Sequence, residues 1–313
     1  MWPPVSVLQK QARLLDLGHG VWHDGVAPTE PQAMTVCVAA TCEKGQVVIA
    51  AADRMVTSGL MIEFEHPSSK KITDISTRCV ALTAGDALAH TELFAAVQGR
   101  LHELADPSVE QVVEAIKEIY QELRRGRIED LFLKPRGFGG FPDFYRHHGQ
   151  ISESIVLTIQ SEIDRFDYGL QILVCGLSGR RAHIYVVGDP GTSACFDSIN
   201  FHVIGSGTPH AVSKLITSRC SQDLPLEDAL LLVHQAKRVA EIAPGVGSAT
   251  DIAIVVRTGI IQIPEEKIGV LDELVKIRQS GNIDWRPQTR SFLESLQAEE
   301  TKDSPPEAET GGE

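Results

Sequence analysis

The amino-acid sequence predicts an α+β fold, on the basis of three observations. Short apolar runs rich in β-branched residues, at 36–40 and 47–52, flank a polar turn with a glycine and predict a strand hairpin. Longer segments at 86–104 and 109–123 carry apolar residues at helical spacing and predict helices. Strand patterns return from residue 169 onward, so strands and helices occupy separate stretches of the chain.

The first hairpin ends on an acidic residue. Its second apolar run finishes at Asp53, which puts a carboxylate at the mouth of a buried sheet. Further strands are predicted at 60–64, 71–75 and 79–83, with a break at His66-Pro67 between the first two.

The next stretch predicts two helices and a loop. The segment Asp106-Pro-Ser-Val-Glu110 combines polar cap candidates, an early proline and an early glutamate, which indicates the start of the second helix. Residues 132–150 are rich in glycine, aromatics and histidine and predict a loop or lid. Such a loop either packs on its own aromatic side chains or contacts substrate or a neighbouring subunit.

The second half of the chain predicts alternating strands and helices. The strands are expected at 169–176, 183–187, 201–204, 252–256 and 260–263, and the helices at 209–219, 226–243 and 271–277.

The composition of the chain argues against several classes of function. The chain has 313 residues, 42% of them hydrophobic, and a formal net charge of −13, which argues against a nucleic-acid partner. Six cysteines show no metal-binding spacing, so we expect reduced core thiols, a cytoplasmic protein, and no metal or cofactor. No apolar run is long enough to span a membrane, and no secretory signal is evident.

Four short motifs stand in a fixed order beside the predicted strands: Ala51-Ala-Asp-Arg54, Ser68-Ser-Lys-Lys71-Ile72, Ala81-Leu-Thr-Ala-Gly85 and Ile204-Gly-Ser206-Gly207. Together they resemble the proteasome β-subunit and its bacterial and archaeal proteasome-like relatives, members of the N-terminal-nucleophile (Ntn) hydrolases, over residues 35–263. The resemblance implies a four-layer αββα sandwich, with two antiparallel sheets between helix layers. It also implies a peptide or protein substrate and a homo-oligomer, and it leaves an ATPase partner open.

The resemblance assigns a role to each of five residues. Thr35 is the nucleophile, Lys71 supplies an ammonium beside it, and Asp53 orients Lys71. The backbone N–H of Gly85 contributes to the oxyanion hole, and Ser206 supports the threonine amine. The chemistry requires a free N-terminus, because the α-amine, with a reference pKa of about 7.7–8.0, then accepts the proton of the hydroxyl.

Each assignment has an ordinary structural alternative. Thr35 fits a plain strand position and Asp53 fits a turn cap, while Gly85 and Ser206 fit turns. Lys70 becomes the matching lysine if the register slips by one residue.

The chain also departs from the family pattern. Met34, not glycine, precedes Thr35, and the interval from Thr35 to Asp53 is one or two residues longer than usual, so the first hairpin must bulge or turn more widely. The further Asp and Ser of active family members have no counterparts at the usual spacing; the residues available there are Glu241, Ser248 and Asp251.

The sequence therefore predicts a threonine-type amide hydrolase, foremost a peptidase, active once Thr35 is N-terminal. One alternative is a non-catalytic, proteasome-like structural subunit in which Thr35 never becomes free. Another is a non-proteolytic Ntn amidase or peptide transferase.

The predicted organisation has four parts. Residues 1–34 form an N-terminal extension or propeptide, or lie upstream of a true start at Met34. The Ntn-hydrolase domain covers 35–263, a C-terminal helical extension covers 264–293, and an acidic disordered tail covers 294–313.

Overall fold

The computed structural model describes residues 35–58, 62–66, 69–85, 89–281 and 284–303. The predicted extension at 1–34 lies outside the described residues, as does the end of the acidic tail at 304–313.

The described residues form a mixed fold of helices and antiparallel strands, consistent with the α+β prediction. The strands are β1 (Cys37–Cys42), β2 (Val47–Asp53), β3 (Met55–Ser58), β4 (Ile62–Glu65), β5 (Ile72–Ser76), β6 (Cys79–Gly85), β7 (Leu170–Ser178), β8 (Arg181–Gly188), β9 (Thr192–Cys195), β10 (Phe201–Ile204), β11 (Thr250–Val256) and β12 (Gly259–Gln262). The α-helices are α1 (Ala89–Leu101), α2 (Val109–Ile128), α3 (Phe141–His147), α4 (Glu153–Arg165), α5 (Thr208–Thr217), α6 (Leu226–Ala240), α7 (Glu265–Ser280) and α8 (Arg286–Asp303).

The strands form three sheets. One five-stranded sheet has the order β10-β1-β2-β11-β12, a second has the order β5-β6-β7-β8-β9, and β3 pairs with β4 in a separate two-stranded ribbon. Every pairing is antiparallel.

The first hairpin has no bulge, and its chain reverses through a wide turn. The β1–β2 register is unbroken from the Cys37–Ala52 pair to the Cys42–Val47 pair, so neither strand bulges. The chain reverses through Glu43, Lys44 and Gly45, which all have positive φ. A wide left-handed turn therefore accounts for the long interval between Thr35 and Asp53.

Alternation along the central strands builds three apolar clusters. In β2, Ile49 faces a cluster shared with α5, α6, α7 and α8, while Val48 and Ala50 face the second five-stranded sheet. In β6, Leu82 faces the first sheet, whereas Ala81 faces α1 and α2. The two large sheets thus pack face to face, because each strand presents opposite side chains to opposite layers.

The loop predicted at 132–150 is helical instead. A π-helical turn at 129–133 and a 3-10 turn at 134–136 lead into α3, and the additional helix α4 follows. Leu133, Phe144 and Ile159 pack into a small core of their own. The glycines that suggest a loop lie in the connection at 137–140 and in the 3-10 turn at 148–150. Pro142 is tolerated in the first turn of α3 because the first helical N–H groups have no intrahelical partner.

The C-terminal segment is also more ordered than predicted. The helix expected at 271–277 extends over Glu265–Ser280, and its Ile268, Leu271 and Leu274 are buried against the first sheet's helix cluster. Helix α8 runs through the predicted start of the disordered tail at 294, because Phe292 and Leu296 join the same cluster. Among the described helices, each is too short or too polar to cross a lipid bilayer.

Candidate active site

Four of the five predicted site residues, all but Gly85, meet where the first sheet ends. Thr35 lies two residues before the start of β1 and is 2% exposed. Asp53 closes β2, with its N–H donated to the Val36 carbonyl at 3.2 Å, and pairs across the sheet with Thr250 of β11. This strand order places Asp53 directly beside the residue that leads into β1.

The Asp53 carboxylate is completely buried and fully hydrogen-bonded. Its Oδ1 accepts from the Val36 N–H at 3.0 Å, from Lys71 Nζ at 2.8 Å and from the Thr35 hydroxyl. Its Oδ2 accepts from the N–H groups of Met55 and Gly247, each at 3.0 Å. Five donors compensate the cost of burying this anion, and they hold it in one orientation.

Lys71 reaches the site from the second sheet. It lies just before β5, is 9% exposed, and donates both to Asp53 and to the Thr35 hydroxyl oxygen. Lys70 is exposed and does not join these contacts. Of the two lysines, it is therefore Lys71 that contacts Thr35 and Asp53.

The loop after β10 covers the other side of Thr35. The Thr35 N–H donates to Ser206 Oγ at 3.3 Å, and Ser206 Oγ lies 3.1 Å from the Pro244 carbonyl oxygen. Gly207 donates its N–H to the Thr35 carbonyl at 3.1 Å. Gly205 has a φ of +96°, and a Cβ there would lie 2.3 Å from the Thr35 carbonyl oxygen, so the close approach of this loop requires glycine.

Gly85 lies at the exposed end of β6, with a φ of +124°. An added Cβ would lie 1.9 Å from the carbonyl oxygen of Gly169, on the neighbouring connection into β7. The glycine is thus needed for packing between the strands. None of the hydrogen bonds among the described residues joins Gly85 to Thr35, so its part in an oxyanion hole stays a prediction.

The three residues that the sequence offers for the further Asp and Ser of the family, Glu241, Ser248 and Asp251, bind partners away from Thr35. Asp251 pairs with the buried Arg54, with contacts of 2.6 and 3.0 Å. Ser248 Oγ donates to Glu65 at 3.3 Å. Glu241 binds Lys237 and Arg238 on α6. None of the contacts described for these three residues reaches Thr35.

The structure adds groups that sequence patterns did not reveal. The backbone N–H groups of Met55 and Gly247 complete the shell of Asp53, and Lys237 lies fully buried behind Gly247. No motif marks them, since two act through the backbone and the third sits in an amphipathic helix. The only available signal was a lysine at an apolar position of α6.

Cys37 is a thiol that interacts with Thr35, Lys71 and Asp53. It is fully buried, its Sγ lies 3.3 Å from the Thr83 carbonyl oxygen, and burial raises its pKa to about 12, although Lys71 acts in the opposite direction. The thiol therefore stays protonated and unreactive near neutral pH. Among the described residues, no group of three or more His, Cys, Asp and Glu side chains is arranged to hold a metal ion.

The arrangement suits activation of a hydroxyl. Thr35 Oγ1 lies between an ammonium that donates to it and a carboxylate that accepts from it. An ammonium in contact with the oxygen stabilises negative charge that develops there during attack on a carbonyl. The nitrogen of Thr35 is a peptide nitrogen in the intact chain and becomes a base only when the bond to Met34 is broken.

Comparison with models of known protein families and with curated proteins finds no match to this chain.

Proposed function

We propose that this protein is a threonine-type amide-bond hydrolase, foremost a peptidase, that becomes active when Thr35 is the first residue. The observation that carries the proposal is the contact of Thr35 Oγ1 with both Lys71 and Asp53 in a buried cluster of polar groups. An ordinary strand threonine has no need of a buried lysine and carboxylate on one hydroxyl. Such a pair is costly to bury, which favours a functional reason for it.

Each group has a distinct part in the proposed reaction. The Thr35 hydroxyl attacks the amide carbonyl, its α-amine takes the proton, and Lys71 stabilises the developing alkoxide. The proton then passes from the amine to the leaving nitrogen, and water releases the acyl group from Thr35. Ser206, now 3.3 Å from the Thr35 nitrogen, orients the amine, and the Gly85 N–H is assigned to the oxyanion.

The four-layer αββα sandwich belongs to the same proposal. It is supported by the face-to-face sheets and by helix clusters on their outer faces, α1 and α2 on one and α5 to α8 on the other. We also propose a cytoplasmic homo-oligomer that acts on peptides or proteins, and light scattering coupled to gel filtration tests the assembly.

The direct test is covalent labelling with a β-lactone, an electrophile that acylates hydroxyl groups. We expect the mature protein to gain one acyl group, on the peptide that begins with Thr35. Thr35→Ala should lose the label. Thr41→Ala is the matched control, because Thr41 is a buried threonine of the following strand β1, bonded to the Asn200 carbonyl and outside the site.

The outcomes separate the alternatives. Equal labelling of Thr35→Ala contradicts the proposal, and an inert mature protein indicates a structural subunit. A labelled protein that hydrolyses small amides but not peptides indicates a non-proteolytic amidase.

A further inference from the structure

A buried lysine lies behind the candidate site without contacting Thr35. Lys237, on the last turns of α6, is completely buried. Its ammonium donates to the carbonyl oxygens of Gly247 at 2.8 Å and Ser248 at 2.9 Å, and to Glu241 at 2.7 Å. A fully buried ammonium is costly unless its donors are used, and here all three are.

The loop at 244–250 carries this contact to the site. Gly247 accepts from Lys237 through its carbonyl, while its N–H donates to Asp53 Oδ2 at 3.0 Å. The Ser248 carbonyl has a second donor in Arg238, at 2.9 Å. Among the described residues, Lys237 is the only donor bonded to the Gly247 carbonyl, whereas Ser248 keeps Arg238 as a donor, so removing the ammonium leaves the Gly247 carbonyl without its partner.

We infer that Lys237 is a positioning residue: it fixes Gly247 and thereby the orientation of the Asp53 carboxylate that holds Lys71 against Thr35. The inference rests on the proposed function, because it assigns Lys237 a part in the reactivity of Thr35. Lys237 also acts through its charge. Burial lowers the pKa of Lys237 and the cation of Arg238 does the same, while Glu241 and, through space, Asp53 favour the charged form.

The same loop is also held by a contact with β4. Glu65, at the end of β4, accepts the Ala249 N–H at 2.9 Å. This contact holds the next peptides and does not involve the Gly247 carbonyl. The two attachments use different atoms of the loop, so we expect a change at Lys237 to leave the contact between Ala249 and Glu65 in place.

The first variant is Lys237→Met, which keeps the apolar stem and removes the ammonium. We expect the maximal rate of β-lactone acylation at Thr35 to fall by about 10- to 100-fold, since small displacements of a catalytic group carry penalties of this order. The half-saturating probe concentration should change by less than about 2-fold, because the buried lysine lies behind the site. Lys276→Met is the control, as Lys276 is an exposed lysine paired with Glu273 and should leave both values unchanged.

Lys237→Gln is the second variant. It keeps an N–H donor in the buried position but carries no charge, so it should retain more of the rate than Lys237→Met. A purely structural role would lower the melting temperature and leave the acylation rate of the folded protein unchanged. That result overturns the inference.

Hydrogen exchange of the peptide covering 244–250, measured on the full-length chain, tests the inference without any chemistry at Thr35. The Gly247 amide should be protected in the wild type and exchange at least about 10-fold faster in Lys237→Met, since its protection depends on local opening. A wild-type protein that is inert to the β-lactone but shows this pattern contradicts the proposed function and leaves the structural part of the inference standing. A Gly247 amide unprotected in the wild type overturns the inference, even if neither variant folds.

Discussion

Removal of the Lys71 ammonium should destabilise the fold as well as abolish the reactivity of Thr35. Asp53 is completely buried, and Lys71 Nζ, 2.8 Å away, is the cation that contacts it. Deleting one partner of a buried ion pair costs about 3–5 kcal/mol, because the other charge is left uncompensated. The N–H groups of Val36, Met55 and Gly247 still solvate the carboxylate, so we expect the lower end, about 3 kcal/mol, for Lys71→Met.

Measuring Lys71→Met in the Asp53→Asn variant shows whether the unpaired charge of Asp53 causes the loss of stability. In Asp53→Asn no buried anion remains, so adding Lys71→Met should cost less than about 1 kcal/mol, leaving a coupling of about 2 kcal/mol between the two sites. Urea unfolding followed by circular dichroism at one protein concentration measures all four proteins. Lys276→Met is the control, because Lys276 forms an exposed ion pair with Glu273. This variant should change the free energy of unfolding by less than about 0.5 kcal/mol. Equal costs of Lys71→Met in both backgrounds would refute this reasoning.

Two further predictions concern the Thr35 backbone and its amine. Gly205→Ala should destabilise by at least about 2 kcal/mol and slow acylation of Thr35, because the residue has positive φ and its Cβ would meet the Thr35 carbonyl. Urea unfolding measures the stability of Gly205→Ala, and β-lactone labelling measures its acylation rate. Gly269→Ala is the control, because Gly269 lies in a helix and no heavy atom is within 4 Å of the added carbon. Equal stability and equal labelling of the two variants would contradict the prediction. The activity of the mature protein should rise with pH through an apparent pKa at or below about 7.7–8.0, because the base must be a neutral amine and the Lys71 ammonium disfavours its protonation. A rate profile that rises near pH 4–5 and stays flat across neutrality would identify a carboxylate as the base instead.

Much of the central fold follows from local patterns. The β1–β2 hairpin, β10 and the helix start at Val109 agree closely with the predicted bounds, since period-two and helical spacing persist there over several residues, whereas that helix ends five residues later than predicted, at Ile128. The helical stretch at 129–165 was not predicted, because its order comes from the small core of Leu133, Phe144 and Ile159, which are far apart in sequence. The length of α7 and the course of α8 likewise depend on tertiary burial.

In the candidate site too, some residues were predictable from the sequence and others were not. Short motifs at strand ends mark Asp53, Lys71 and Ser206, the family resemblance adds Thr35, and the structure brings these four residues into contact. The N–H groups of Met55 and Gly247 were not predictable, as any residue supplies a backbone donor. The positions of Asp251 and Ser248 were also set by distant partners, Arg54 and Glu65, which no spacing along the chain reveals.

The N-terminus of the protein isolated from its own cells tests the central claim most directly. Intact-mass analysis with N-terminal sequencing should show that the active form begins at Thr35, with its α-amine free, since a peptide nitrogen cannot accept the hydroxyl proton. A fully active protein that retains residues before Thr35 would contradict the N-terminal-threonine mechanism.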